Sequence, residues 1–121
     1  MTKKRILVVD DEPSFTRVLK LYLEKTGIYD VRDENRGTMA LSAAKEFQPD
    51  LILLDIVMPD KDGGEIASSI LQDDALKDTP IVFLTAAVSK DEEGIISGRP
   101  FIAKPANAEE VVQCIEKNLA R

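Results

Sequence analysis

No histidine occurs among the 121 residues. That absence excludes Ser-His-Asp and Cys-His catalysis, histidine-ligated zinc and any role as a phosphohistidine carrier, so chemistry must rest on carboxylate, hydroxyl or amine groups. The single cysteine, Cys114, cannot close an internal disulfide. It falls in a helical apolar pattern as a small packed side chain, which suits a cytoplasmic setting. No stretch approaches the roughly 18 apolar residues of a membrane span. The basic start MTKKR leads into only Ile6 to Val9, too short for a secretory signal, so membrane insertion is not expected. There is no P-loop and no GxGxxG, which leaves a nucleotide-binding enzyme with little support. A formal net charge of -6, from 16 basic and 22 acidic residues, argues against nonspecific binding to a phosphate backbone, so nucleic acid is not an expected partner of this segment. Repeats, low-complexity tracts and interdomain linkers are also missing.

What remains is the composition of an ordinary globular protein, 44% hydrophobic and 31% charged. The length suits one domain over residues 1–121, able to bury a core without disulfides or a structural metal. Apolar runs recur at Ile6–Val9, Leu51–Leu54 and Ile81–Leu84, with a shorter one at Phe101–Ala103. Their continuity predicts strands buried on both faces of a parallel sheet. Tyr29 to Asn35 is more polar and predicts an edge strand.

Helical patterns alternate with these runs. Phe15, Val18, Leu19, Tyr22 and Leu23 share a predicted face, with Pro13 suited to the first turn and Gly27 to the end. Ala40, Leu41, Ala44 and Phe47 mark a second helix, and Ile66, Ala67, Ile70 and Leu71 a third. Ala108, Val111, Val112, Ile115 and Leu119 mark the last, opened by Asn107 and Glu110 at capping-box spacing. Ser89 to Ser97 carries Gly94 and little apolar surface, predicting a fourth helix that is short or irregular. Five strand-helix alternations imply an open, doubly wound α/β domain.

In such a sheet, ligands bind beyond the carboxyl ends of the strands. The residues found there are Asp10, Asp11 and Glu12 after the first run, Asp55 after the third, Thr85 after the fourth and Lys104 after the fifth. Singly, each acid reads as a helix cap or turn residue. Together they place acids, a hydroxyl and an amine at one end of one sheet.

DDEP, LLDIVMPDKDG, LTA and AKP, in this order and spanning nearly the whole chain, resemble the receiver domain of bacterial response regulators. The resemblance implies a CheY-like, flavodoxin-like sheet of five parallel strands in the order 2-1-3-4-5. It implies that Asp55 is the phosphoacceptor, that Asp10, Asp11, Asp55 and the carbonyl of Val57 hold magnesium (Mg2+), and that Lys104 serves the phosphoryl group. Thr85 is then the switch hydroxyl, Phe101 the switch aromatic, and Lys104-Pro105 a cis peptide. The implied phosphodonor is a sensor histidine kinase or phosphotransfer protein, and the surface of the fourth and fifth strands meets a partner or a second copy.

The chemistry needs these residue types. An aspartate can attack phosphorus to form an acyl phosphate, and positive charge must then meet the phosphoryl oxygens. A hard, oxygen-seeking cation would also relieve the mutual repulsion of Asp10, Asp11 and Glu12. Val57 and Ala87, two positions beyond Asp55 and Thr85, cannot hydrogen-bond a hydrolytic water through their side chains, which implies slow self-dephosphorylation.

Other readings fit less well. A haloacid-dehalogenase-like phosphatase requires an acid where Val57 stands. Asp60 to Glu65 faintly resembles an EF-hand loop but misses its spacing, and reads as a turn into the third helix. A flavin phosphate would be repelled by the acids. The serious alternative is an interaction-only receiver without phosphoryl transfer. Two departures from the family are visible: a shorter stretch between Thr85 and Lys104, and GRPFIAKP before the lysine. The chain stops just after the fifth helix, as a single-domain regulator or a fragment would.

Overall fold

Residues 3–56, 58–85, 95–96, 99–103 and 107–119 are described by the computed structural model. In chain order they form β1 (Lys4–Val9), α1 (Pro13–Lys25), β2 (Tyr29–Glu34), a 3-10 turn (Gly37–Met39), α2 (Ala40–Phe47), β3 (Leu51–Asp55), α3 (Gly63–Leu71), β4 (Ile81–Thr85), β5 (Ile95–Ile96), β6 (Arg99–Ala103) and α4 (Ala108–Leu119). The sheet order is β2-β1-β3-β4-β6-β5. All pairings are parallel except that of β5 with β6. The expected order 2-1-3-4-5 is therefore present, with β6 as its fifth parallel strand.

Strand pleating assigns each residue to a layer. Leu7, Val9, Ile52, Leu54, Ile81 and Phe83 pack with Ala40, Ala44, Ile66 and Ile70 of α2 and α3. Their sequence neighbours Ile6, Val8, Leu51, Leu53, Val82 and Leu84 pack on the opposite face, with Leu19, Leu23, Val111 and Ile115 of α1 and α4. Burial on both faces explains the unbroken apolar runs, and the right-handed crossover of parallel strands explains the helices on either side.

Pro13 opens α1, where its missing amide hydrogen is harmless, and Gly27 follows its end at φ +82. Only part of the expected face is inward. Thr16, Leu19 and Leu23 are buried, whereas Val18 is 63% and Tyr22 45% exposed. Val18 and Tyr22 lie about 100° around the helix from Leu19 and Leu23. The inner line is completed by Thr16, whose hydroxyl donates to the carbonyl of Pro13 at 3.2 Å and so tolerates burial.

At the outer edge, the Glu24 carboxylate accepts from the amide of Val31 at 3.1 Å. The cap on α4 forms as expected, Asn107 Oδ1 accepting from the Glu110 amide at 2.8 Å.

The expected fourth helix over Ser89–Ser97 is corrected at its end, since Ile95–Ile96 form a strand antiparallel to β6. Two β-branched residues directly after Gly94 favour extended backbone over helix. Residues 89–94 and 97 of that segment lie outside the described residues. No described helix is long and apolar enough to cross a membrane.

Candidate functional site

Parallel pairing brings the carboxyl ends of the strands to one side. Asp55 is the last residue of β3 and registers with Leu84, while Val9 registers with Leu54 and delivers Asp10 just beyond β1. Asp10, Asp11 and Asp55 each offer a carboxylate oxygen, and these atoms lie within 4.8 Å of one another. Asp10 is 0% and Asp55 4% exposed, although both are acids. Asp10 Oδ1 accepts from the Glu12 amide at 3.0 Å, an Asx turn that sends the chain into α1.

Three carboxylates at this spacing repel strongly, most of all where water is scarce. A hard divalent cation resolves that conflict. The donor set is all oxygen and anionic, without nitrogen or sulfur, which suits magnesium or calcium and not zinc. The partial exposure of Asp11 leaves room for the waters magnesium keeps.

The other expected site residues divide in two. Thr85 ends β4 and registers with Ala103, and Phe101 registers with Phe83, so β4 and β6 finish on the side where β1 and β3 present their acids. Val57, Lys104 and Pro105, together with Ala87, lie outside the described residues.

Two supporting residues escaped the sequence reading. Asn35, just beyond β2, donates through Nδ2 to the carbonyl of Asp10 at 2.8 Å and to Thr16 Oγ1 at 3.0 Å. Asp60, in the loop after β3, accepts from the amides of Gly37 at 3.1 Å and Thr38 at 3.0 Å, and from the Thr38 hydroxyl at 3.2 Å. Donation by the Thr38 amide, aided by Gly37 and the Thr38 hydroxyl, outweighs lost hydration and holds the Asp60 carboxyl below the ordinary aspartate range.

The same loop needs Gly63. A Cβ there would collide with the carbonyl oxygen of Asp55 and meet Ile56 Cα at 2.6 Å, while the Gly63 amide donates to the Ile56 carbonyl at 2.8 Å. Asp62 caps α3, accepting from the Gly64 amide at 2.6 Å. The DKDGGE stretch is thus the turn into α3, as its spacing implies.

The family model described as "Response regulator receiver domain" matches residues 6–116. The polar-differentiation response regulator DivK of Brucella anthropi is 33% identical over 119 residues, covering 96% of this chain and 96% of its own. The transcriptional regulatory protein ResD of Bacillus subtilis is 39% identical over 123 residues, covering 97% of this chain and 48% of its own. The chemotaxis protein CheY4 of Vibrio cholerae has a structure similar at a TM-score of 0.84 and 28% identity, covering 96% of this chain and 98% of that one. The chain spans about half the length of the first curated relatives it matches, 49% and 46%.

Proposed function

This chain belongs to the response regulator receiver family, whose members serve phosphorylation-dependent signalling in two-component systems, and we propose that Asp55 is its phosphoacceptor. The observation that carries this reading is the convergence of the Asp10, Asp11 and Asp55 carboxylates within 4.8 Å. Because these 121 residues hold no histidine, the phosphohistidine donor in this reading lies outside them, on a sensor histidine kinase or a phosphotransfer protein.

In the step we propose, a carboxylate oxygen of Asp55 bonds to phosphorus in line as the bond from phosphorus to the donor imidazole nitrogen breaks. The imidazole leaves with the electron pair and takes up a proton, and Asp55 becomes an acyl phosphate. Asp10, Asp11 and Asp55, with the carbonyl of Val57, would hold magnesium, which when bound supplies positive charge against the phosphoryl oxygens. Lys104 would supply a second positive charge through its compact ammonium. Thr85 would donate its hydroxyl to a phosphoryl oxygen, and Phe101 would follow it inward, altering the surface of β4 and β6 for a partner or a second copy. Residues 1–121 act in this reading as one receiver domain. Val57 and Ala87 leave a hydrolytic water unheld, so the phosphoryl group persists, and Val57→Asn with Ala87→Glu shortens its lifetime.

The test is incubation with a small phosphodonor and magnesium, read by intact mass. One phosphoryl adduct on the wild type and none on Asp55→Ala is the expected result. No wild-type adduct would favour an interaction-only receiver, and an undiminished adduct on Asp55→Ala would reject Asp55 as the acceptor.

A further inference from the structure

We propose that Asn35 is a positioning residue for the acidic site, acting on the Asp10 carboxylate through the main chain of Asp10. The proposal rests on the reading of Asp10 as a magnesium ligand.

Asp10 is the first residue beyond β1, and its amide still donates to the Glu34 carbonyl of β2 at 3.0 Å. Its own carbonyl is taken by the Asn35 amide at 2.8 Å. The second hydrogen of that amide reaches Thr16 Oγ1 at 3.0 Å. Thr16 is buried, and its hydroxyl hydrogen is committed to the Pro13 carbonyl, so toward Asn35 it can only accept. That constraint fixes which end of the amide faces the acidic loop. One side chain from the turn after β2 thereby holds the peptide leaving β1 and the first turn of α1, the two ends of the segment that carries Asp10, Asp11 and Glu12.

A ligand's affinity for metal depends on how firmly its neighbours hold it. Asp10 gains its orientation from a main chain clamped at both ends and from the Glu12 amide on Oδ1. The next residues of the same connection, Gly37 and Thr38, bind Asp60 in the loop after β3. The turn between β2 and α2 therefore touches both acid-bearing loops while contributing no carboxylate to the cluster.

The experiment compares wild type with Asn35→Ala in the full chain. Magnesium binding is measured by calorimetry, amide hydrogen exchange on the metal-free protein, and phosphorylation by a small phosphodonor across magnesium concentration. Loss of two neutral hydrogen bonds weakens magnesium binding by about threefold to tenfold. Exchange quickens at Asp10 and Glu12, whose amides donate to the Glu34 carbonyl and to Asp10 Oδ1, while the amides of β1 and β3 stay protected, and the phosphorylation rate at saturating magnesium returns to that of the wild type.

Unchanged affinity, or exchange that quickens equally across the core strands, overturns the positioning role, because a merely structural residue would loosen the whole domain. Should Asn35→Ala fail to fold, Thr16→Val removes the acceptor that orients the amide, and the same readings decide. A wild type that binds no magnesium overturns the metal reading and this proposal with it. Intact wild-type binding that the variant leaves untouched overturns this proposal alone.

Discussion

The two halves of the sheet are held in different ways. In the half formed by β2, β1 and β3, side chains from one loop grip the backbone of the next: Asn35 holds Asp10, and Asp60 holds Gly37 and Thr38. In the half formed by β4, β6 and β5, the outermost strand is two residues long and reversed in direction. One of its two partners is Pro100, which has no amide hydrogen to give. Among the described residues, the half that gathers negative charge is cross-linked, and the half proposed to transmit a signal ends in the two-residue pairing of β5. A receiver needs both, since a metal site rewards rigidity and a switch needs two arrangements close in energy.

Gly63→Ala forces a methyl group against the Asp55 carbonyl and the Ile56 backbone, and destabilises the domain by about 3 kcal/mol or more, read as a lower urea midpoint. A smaller effect follows from the acids themselves. Magnesium at tenfold excess over its dissociation constant raises stability by about 1.4 kcal/mol. Chelation reverses the gain, and Asp10→Asn abolishes it; a melting temperature indifferent to magnesium would count against the cluster as a cation site.

On the other half, Ile96→Pro removes a ladder position from β5 and changes stability by less than about 1 kcal/mol, because a two-residue pairing adds little. A loss comparable to that of Gly63→Ala would show β5 to be integral to the sheet. The smallest effect belongs to Asp60. Its carboxyl titrates lower in the folded chain than in the unfolded one, so its contribution is complete above the ordinary aspartate range and fades as pH falls below about 4. Asp60→Asn flattens that part of the acid-unfolding curve and lowers neutral stability by the same small amount, small because the group is exposed.

The cross-linked half was legible in its strands and acids and illegible in its clamps. Ile6 to Val9 and Leu51 to Leu54 announce strands buried on both faces, and polar Tyr29 to Asn35 announces an edge, because burial acts on every residue of a run at once. Pro13, Gly27 and Asn107 mark helix ends through local backbone chemistry. Asn35 and Asp60 resemble ordinary turn residues, and their partners lie 25 and 23 residues away, a distance no local pattern encodes. Val18 and Tyr22 fit an apolar stripe, yet the buried arc of α1 is narrower than the stripe, and Thr16 completes it. Ile95 and Ile96 form β5 because β-branched side chains beside an available strand edge prefer pairing to helix.

One contact on the opposite flank bears on assembly. Open strand edges invite foreign chains to zip onto them, and stacking of that kind is how fibrils begin. By seating its carboxylate on the outward amide of Val31, Glu24 stoppers the exposed rim of β2 with a charge that an incoming backbone would have to displace. Pairing of a second chain along that rim would first have to break this hydrogen bond.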